Sequence, residues 1–117
     1  MVLTVEQHMS SLLITKYDGT TCNPWWSKEP KYFKRKRVTT CWYFRAWIIP
    51  NFLCDVLGII YETNDNRYKW DIRKSDWFKP SDESPKVCRQ GVCSNLEDAK
   101  AVIENHWTVK ANSTGSN

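Results

Sequence analysis

The chain has 117 residues, of which 41% are hydrophobic and 14% aromatic, a composition that excludes a disordered protein. This length fits one domain that can bury a core without disulfides or metal ions. The formal net charge is +4, and it is concentrated: residues 28–37 contain six basic residues and one acidic residue, whereas the rest of the chain has one more acid than base. Charge concentrated in this way attracts an anionic partner more strongly than charge spread evenly.

The cysteine content and the hydropathy pattern suggest where the protein works. Five cysteines are present, an odd number, and no Cys-x-x-Cys motif occurs. The first residues lack the basic and apolar regions of a signal peptide, and no segment approaches the roughly 18 apolar residues that a membrane span requires. We therefore expect reduced thiols and a cytoplasmic protein that does not bind membranes.

The N-terminal region predicts a helix followed by a loop. Residues 4–7 match a capping box, and apolar residues then recur at helical spacing, so we predict an amphipathic helix over about 4–15. Residues 18–30 are rich in turn formers and are predicted to form a loop that contains Trp25 and Trp26. Either one of these two tryptophans packs on the core, which we expect, or the loop exposes an apolar patch.

Residues 41–49 are β-branched and aromatic and end at Pro50, which predicts a strand. One face of this strand is wholly apolar and is expected to face the core: it carries Trp42, Phe44, Ala46 and Ile48. The other face mixes an arginine with two aromatic residues and predicts a half-exposed surface: it carries Tyr43, Arg45 and Trp47.

Residues 56–74 predict a β-hairpin, because two alternating runs flank Asn64-Asp65-Asn66, residue types that tolerate the positive φ of tight turns. A two-residue loop at 64–65 places both apolar sets on one face, pairing Tyr61 with Tyr68, Ile59 with Trp70 and Leu57 with Ile72. A loop one residue longer or shorter would place the two sets on opposite faces.

The C-terminal region predicts a short strand at residues 87–93 and a helix at 94–107, which begins with a capping box formed by Ser94 and Glu97. Residues 108–117 are expected to be a flexible tail. The predicted fold is α+β, with an N-terminal helix, a small antiparallel meander of about three or four strands, and a C-terminal helix packed on the sheet. Residues 1–107 are predicted to form a single domain.

The motifs that accompany enzymes are not found in the sequence. No Gly-rich phosphate loop, nucleophile elbow or His-Glu-x-x-His motif occurs, and the only histidines, His8 and His106, lie on predicted helices. Cys88 and Cys93 have the spacing of a ligand pair, but zinc takes four ligands and no second pair is present. We therefore predict a non-enzymatic protein without catalytic residues, cofactor or metal site.

The basic run is the strongest functional signal in the sequence. Five basic residues precede the predicted central strand, with Tyr32 and Phe33 among them: Lys31, Lys34, Arg35, Lys36 and Arg37. Three interpretations remain open. The run can contact nucleic-acid phosphates beside stacked bases, it can be the solvated entry of a core strand, or it can be a docking patch for an acidic protein surface.

Residues 58–72 and 89–107 together resemble short accessory proteins of phages, prophages and bacterial mobile elements. The pattern that they share is a Gly-led strand, a tight turn, a Trp-bearing strand, a Gly-containing strand and a helix of a recurring type. Its residues here are Gly58, Trp70, Gly91, Leu96, Glu97, Ala99, Lys100, Glu104, His106 and Trp107. The resemblance covers the C-terminal half and implies a small inhibitor of host defence, a class that includes anti-CRISPR and anti-restriction proteins.

Residues 87–104 also resemble the end of a double-stranded-RNA-binding domain, whose order is helix, three strands, helix. That family places a basic cluster at the start of its last helix. Here the same place holds residues 95–98, of which Glu97 and Asp98 are acidic. Acidic residues at that place repel phosphate, so the family's binding residues are not carried over to this chain.

These observations lead us to expect a phage-type accessory protein that binds and inhibits a host protein or ribonucleoprotein complex in the bacterial cytoplasm, as a monomer or homodimer. The alternative is a small module that binds DNA or RNA through residues 31–37. The predicted partner-binding residues are Trp25, Trp26, Lys31, Lys34, Arg35, Lys36, Arg37, Arg45 and Trp47.

Overall fold

The computed structural model describes residues 12–81 and 89–110 of the chain. Over these two ranges the backbone forms nine β-strands and one α-helix. In chain order the elements are β1 (Leu12–Lys16), β2 (Thr21–Cys22), β3 (Trp25–Phe33), β4 (Lys36–Ile49), β5 (Leu53–Glu62), β6 (Tyr68–Ile72), β7 (Phe78–Lys79), β8 (Gln90–Cys93), α1 (Leu96–Trp107) and β9 (Thr108–Lys110).

The strands form two antiparallel sheets. The larger sheet has the order β3-β4-β5-β6-β8, and its first four strands follow one another as a meander. In the smaller sheet β1 is central, with β2 on one side and β7 and β9 sharing the other. The N-terminal part of the chain is therefore joined to its C-terminal part through β1.

The helix and the smaller sheet cover one face of the larger sheet, called here the inner face. Three buried side chains alternate along β4 and form the centre of the core: Trp42, Phe44 and Ala46. Around them pack buried residues of the other elements: Ile14, Ile60, Phe78, Ala99, Ile103 and Trp107. Each large apolar side chain buried in this way contributes about 1.5–3 kcal/mol. The predicted inward face of residues 41–49 is thereby confirmed, with Ile48 partly buried against the core.

The predicted helix–sheet–helix fold is wrong, because the described chain is mostly β, with a single helix in those residues. Residues 12–15 of the expected N-terminal helix lie in β1, and its residues 4–11 lie outside the described part. β1 has strand partners on both sides, and Ile14 is completely buried between the sheets. Periodicity does not distinguish a strand from a helix in so short an apolar run, and here the distant strand partners decide.

The structure also differs from the expected flexible tail at residues 108–117. Thr108–Lys110 is strand β9, which pairs with β1, whereas residues 111–117 lie outside the described part. Thr108 also closes the end of the helix, because its Oγ1 donates a hydrogen bond to Glu104 O at 2.6 Å. The chain therefore passes directly from α1 into the smaller sheet.

The predicted hairpin of residues 56–74 is present as β5 and β6, but its register differs from the prediction by one residue. Trp70 pairs with Ile60 rather than with Ile59, and the other pairs are displaced in the same way. Because side chains alternate between the two faces of a strand, this displacement exchanges the faces of β5. Ile60 therefore lies in the core, whereas Ile59 and Tyr61 lie on the opposite face.

The length of the turn explains the register. Thr63 N donates to Arg67 O at 2.8 Å, which leaves three residues in the loop rather than two. The third of them, Asn66, has a φ of 63°, in the left-handed region. A three-residue loop that ends in a left-handed residue is a common hairpin connection, and asparagine tolerates this conformation.

The predicted C-terminal helix is confirmed as α1, but its cap is Asn95 rather than Ser94. Asp98 N donates to Asn95 Oδ1 at 2.8 Å, which satisfies one of the free amide groups of the first turn. The carboxylate of Asp98 also lies at the positive end of the helix dipole. At the other end, Trp107 is buried and its Nε1 donates to Leu57 O at 2.9 Å, which joins α1 to β5.

The helix packs directly on the backbone of β5 at Gly58. A Cβ on this residue would lie 2.6 Å from Ile103 Cγ2 and 2.9 Å from Ile103 Cδ1. Both distances are shorter than non-bonded carbon atoms tolerate, and Ile103 is itself completely buried. Glycine at position 58 therefore sets how closely α1 packs on the sheet.

We predict that Gly58→Ala lowers the free energy of unfolding by about 1–3 kcal/mol, since it overpacks the helix–sheet contact. Urea denaturation followed by circular dichroism measures the change. In an Ile103→Ala background the contacted atoms are absent, so the same substitution should cost clearly less. An equal cost in both backgrounds would mean that this contact is not the reason for glycine here.

Candidate functional site

β3 and β4 form a long hairpin whose end carries most of the positive charge. The pairing of β4 with β5 runs from Cys41 to Ile49, whereas its pairing with β3 continues to the turn at the end of the hairpin. Residues 31–38 are therefore a two-stranded ribbon at the end of the sheet, called here the basic arm. The basic arm contains no acidic residue and five basic ones: Lys31, Lys34, Arg35, Lys36 and Arg37.

The tip of the basic arm is a two-residue turn of Lys34 and Arg35, whose φ angles are 52° and 68°. Positive φ at both central residues is the geometry of the type I′ hairpin turn, for which Asn-Gly is the favoured sequence. A residue with a Cβ pays roughly 1–2 kcal/mol in this conformation. The tip therefore carries two exposed cations where uncharged residues would make a more stable hairpin.

A bulge lies at the base of the basic arm. Lys31 pairs with Thr39 and Tyr32 pairs with Arg37, so Val38 is an extra residue on β4. A bulge bends the ribbon and increases its twist, which directs the arm away from the plane of the sheet. Thr39 Oγ1 donates to Glu62 O at 2.6 Å, which holds the base of the arm against the end of β5.

The face of the larger sheet opposite the helix, called here the outer face, carries aromatic and charged side chains. Tyr43, Arg45 and Trp47 alternate along β4 and are half-buried, as expected for the mixed face of residues 41–49. The ring of Trp25 packs against that of Trp47, with 4.9 Å between the centroids and 35° between the planes. The outer face is therefore a surface of rings and charged groups rather than a second apolar core.

Arg45 is held in place on the outer face by three neighbours. Its Nε donates to Ser27 Oγ at 3.0 Å, and a terminal nitrogen lies 3.0 Å from Glu29 Oε2. Its guanidinium carbon is 5.0 Å from the centroid of the Tyr43 ring, within the range of a cation–π contact. These contacts order the guanidinium and give Tyr43 a supported ring.

A lysine accompanies each of the two tyrosines at the centre of the outer face. Lys31 hydrogen-bonds to the Tyr43 side chain, and this bond raises the pKa of Lys31 above its ordinary value. Lys69 lies directly across from Tyr61 in the β5–β6 ladder. Partial burial raises the pKa of the Tyr61 phenol, so this side chain is neutral near pH 7.

Trp26, unlike Trp25, lies on the inner face of the larger sheet. Its ring packs on Phe44 with 4.8 Å between centroids, and its Nε1 donates to Glu104 Oε2 at 2.8 Å. Lys100 Nζ lies 5.6 Å from the centroid of the same ring. Trp26 therefore fastens β3 to α1, and the expectation that one of the adjacent tryptophans packs on the core is confirmed. Both lie on strand β3, however, rather than in the predicted loop.

The structure brings the other predicted site residues together along one hairpin. Three of them lie on the outer face beside Tyr43: Trp25, Arg45 and Trp47. The remaining ones lie on the basic arm: Lys31, Lys34, Arg35, Lys36 and Arg37. Sequence reasoning missed Tyr61 and Lys69, because the predicted hairpin register turned Tyr61 toward the core. The asparagine at position 66, suited to the left-handed end of a three-residue loop, is the signal that identifies the correct face.

A second exposed surface lies at the far end of β4 from the basic arm. The β4–β5 turn exposes three large apolar side chains, called here the apolar tip: Ile49, Phe52 and Leu53. Phe52 is 79% exposed, the highest value among the exposed large hydrophobic residues. Sequence reasoning did not select this turn, since isolated apolar residues beside a proline are common in strands and turns alike.

The remaining candidates for chemistry lie elsewhere. Burial lowers the pKa of His106, whose ring packs edge-on against Trp107, so it is a neutral packing residue near pH 7. Within residues 12–81 and 89–110, no three His, Cys, Asp or Glu side chains are arranged to hold a metal ion. Cys88 of the candidate ligand pair lies outside those ranges, and the four described cysteines are free thiols. None of the helices in the described part is long and apolar enough to cross a membrane.

Comparison with known proteins gives no relative of this chain. No family model, curated protein or solved structure matches it. The resemblance to phage accessory proteins stays an expectation, and the function is argued from the basic arm, the outer face and the apolar tip.

We predict that the adjacent tryptophans differ in their effect on stability. Trp26→Ala removes the contact with Phe44 and the hydrogen bond to Glu104, and should lower the free energy of unfolding by about 3 kcal/mol. Trp25→Ala removes only the ring contact with Trp47 on the outer face and should cost about 1 kcal/mol. Urea denaturation of both variants tests this order, and a larger loss for Trp25→Ala would contradict the assignment of the two faces.

Proposed function

We propose that this protein binds nucleic acid through the basic arm. The observation that carries this proposal is the turn of Lys34 and Arg35, which keeps two exposed cations at positive φ at the tip of a ribbon without acidic residues. Strained backbone retained against stability is found where the residue serves a ligand. A polyanion is the ligand that this charge selects.

The shape of the basic arm supports the same proposal. A two-stranded ribbon fits into the major groove of a duplex or along an extended strand, and its side chains reach phosphates on both sides. Lys31 and Lys36 are exposed on the two strands of the ribbon, and the turn carries the remaining exposed cations. Contacts of this kind give affinity that depends on salt but not on sequence.

The interpretation of the basic run as a solvated strand entry accounts for its exposure but not for its turn. The start of a strand needs only polar side chains, and an Asn-Gly turn would provide them with less backbone strain. If the basic arm served only to keep the hairpin soluble, acidic residues would serve as well as basic ones, yet the arm contains none. Electrostatic attraction of an anion explains both features together.

We predict that the double variant Lys34→Asn/Arg35→Gly separates stability from binding. The favoured turn sequence should raise the free energy of unfolding by about 1–2 kcal/mol. Loss of two cations should weaken binding to a labelled oligonucleotide and reduce the slope of log affinity against log salt by about 1–2 units. Fluorescence anisotropy over a salt series measures both quantities.

The matched control is Lys74→Gln/Lys79→Gln, which removes two exposed cations that lie away from the basic arm, one after β6 and one on β7. It should leave the salt slope unchanged. Equal slopes for the arm variant and the wild-type protein would contradict the proposed role of the arm. A wild-type protein that binds no oligonucleotide even at low salt would overturn the proposed function itself.

A second candidate function is supported by the apolar tip. We propose that the protein, as expected of a phage-type accessory protein, binds and inhibits a host protein or nucleoprotein complex through Ile49, Phe52 and Leu53. An exposed aromatic side chain flanked by aliphatic ones is the usual anchor of a protein interface. This surface lies at the opposite end of β4 from the basic arm, so the two functions do not compete for the same residues.

We predict that a specific host protein co-purifies with the tagged wild-type chain from nuclease-treated bacterial lysate, and that Phe52→Ser loses it. Mass spectrometry identifies the recovered proteins. Val92→Ser is the control, because Val92 is an exposed apolar residue on β8, at 50% exposure. Recovery of the same proteins with the Phe52→Ser and wild-type chains would exclude the apolar tip as an interface.

A further inference from the structure

The outer face carries two pairs of side chains, each made of a tyrosine and a lysine from a neighbouring strand. Lys69 on β6 lies directly across from Tyr61 on β5. The side chain of Lys31, which pairs with Thr39, reaches the Tyr43 side chain along the same face. In each pair an aromatic ring, which can stack on a base, lies next to an ammonium group, which can contact a phosphate. A nucleotide presents these same two features, a flat base and a charged phosphate.

Tyr43 and Tyr61 are neighbours on the outer face of the larger sheet. Tyr43 pairs with Ile59 and Tyr61 pairs with Cys41, so the two rings are diagonal neighbours across the β4–β5 ladder. Diagonal side chains of this kind are about 7–8 Å apart. Each ring therefore has room for one base without displacing the base on the other ring.

The surroundings of Tyr43 prepare its ring for stacking. Arg45 lies over the Tyr43 ring, with its guanidinium carbon 5.0 Å from the centroid, and Lys31 reaches the Tyr43 side chain from the basic arm, so two cations order the ring. Arg45 is itself fixed by Ser27 and Glu29. A ring that is already ordered loses little conformational freedom when a base stacks on it.

The outer face is also continuous with the basic arm. Lys31 belongs to both, since it lies on β3 at the base of the arm and contacts Tyr43 on the outer face. A strand whose phosphates lie along the arm is therefore led directly over Tyr43 and Tyr61. Unstacked bases are available only in a single strand, because a duplex keeps its bases stacked and paired.

We infer that the outer face is a base-stacking platform for single-stranded RNA, with Tyr43 and Tyr61 as the stacking rings and Lys31 and Lys69 as their phosphate contacts. This inference rests on the proposed nucleic-acid function and assigns its substrate class.

Two carboxylates on the outer face favour RNA over DNA. Glu29 precedes Lys31 on the same face of β3, and Asp71 lies across from Ile59 on β6. A carboxylate repels phosphate, but it accepts a hydrogen bond from a ribose 2′-hydroxyl, which DNA lacks. Carboxylates on both sides of the two tyrosines can therefore accept hydrogen bonds from the 2′-hydroxyl groups of a bound RNA strand.

The experiment compares three labelled probes of one sequence by fluorescence anisotropy: a single RNA strand, its RNA duplex and the matched DNA strand. A length of about 12 nucleotides is within the range of site sizes for such proteins. The single RNA strand should bind at least roughly 10-fold more tightly than the duplex. Asp71→Ala, which removes the hydrogen-bond acceptor, should reduce the preference for RNA over DNA.

Tyr43→Leu and Tyr61→Leu test the platform, because leucine keeps the apolar bulk but not the ring. Each should weaken binding of the single RNA strand roughly 10-fold. Neither removes a charge, so the salt slope should stay that of the wild-type protein, in contrast to the arm variant. Tyr17→Leu, at an exposed tyrosine in the turn that follows β1, is the control and should bind like the wild-type protein.

The outcomes separate this inference from the function on which it rests. Absence of binding to all three probes would overturn both. A duplex bound as tightly as the single strand, with unchanged affinity in the two tyrosine variants, would leave the basic arm as the binding element and overturn the platform. A DNA strand bound as tightly as the RNA would overturn the assignment to RNA.

Discussion

The alternation of side chains along β4 is the constraint on which the rest of the structure depends. This strand is 14 residues long and pairs with β3 on one side and β5 on the other. The helix and the smaller sheet lie against the face of β4 that carries Trp42, Phe44 and Ala46, because these three side chains must be buried together. A shift of one residue would bury Arg45, and a buried charge without a partner costs several kcal/mol. The register of the large sheet therefore has one stable solution.

The inner face is closed by contacts that join distant parts of the chain. Trp26 and Trp107 each donate an indole hydrogen bond, the first to Glu104 of the helix and the second to the backbone of Leu57. No buried side-chain nitrogen or oxygen of the described residues lacks a hydrogen-bond partner. Because these two bonds hold the C-terminal end of the helix and the helix packs directly on Gly58, the outer face opposite it rests on a rigid support.

The same long strand also separates two kinds of surface. Its beginning carries the basic arm and its end carries the apolar tip, with the rings of the outer face between them. A polyanion and an apolar protein surface would therefore meet different ends of one hairpin. The proposed nucleic-acid function and the candidate protein partner are for this reason compatible in a single complex, such as a nucleoprotein assembly.

The sequence by itself determined the strand at residues 41–49 with its two faces, the C-terminal helix and the place of the positive charge. These features are local, because each follows from side-chain alternation, a helical stripe or composition. It did not determine that residues 12–16 form a strand, since the partners of β1 lie at residues 21–22, 78–79 and 108–110. Nor did it determine the register of the β5–β6 hairpin, because a single added loop residue, Asn66, exchanges the faces of a strand. Only the tertiary structure placed Tyr61 beside Tyr43 and Lys69 beside Tyr61, since neighbours on a sheet face are brought together by pairing between strands and not by distance along the chain.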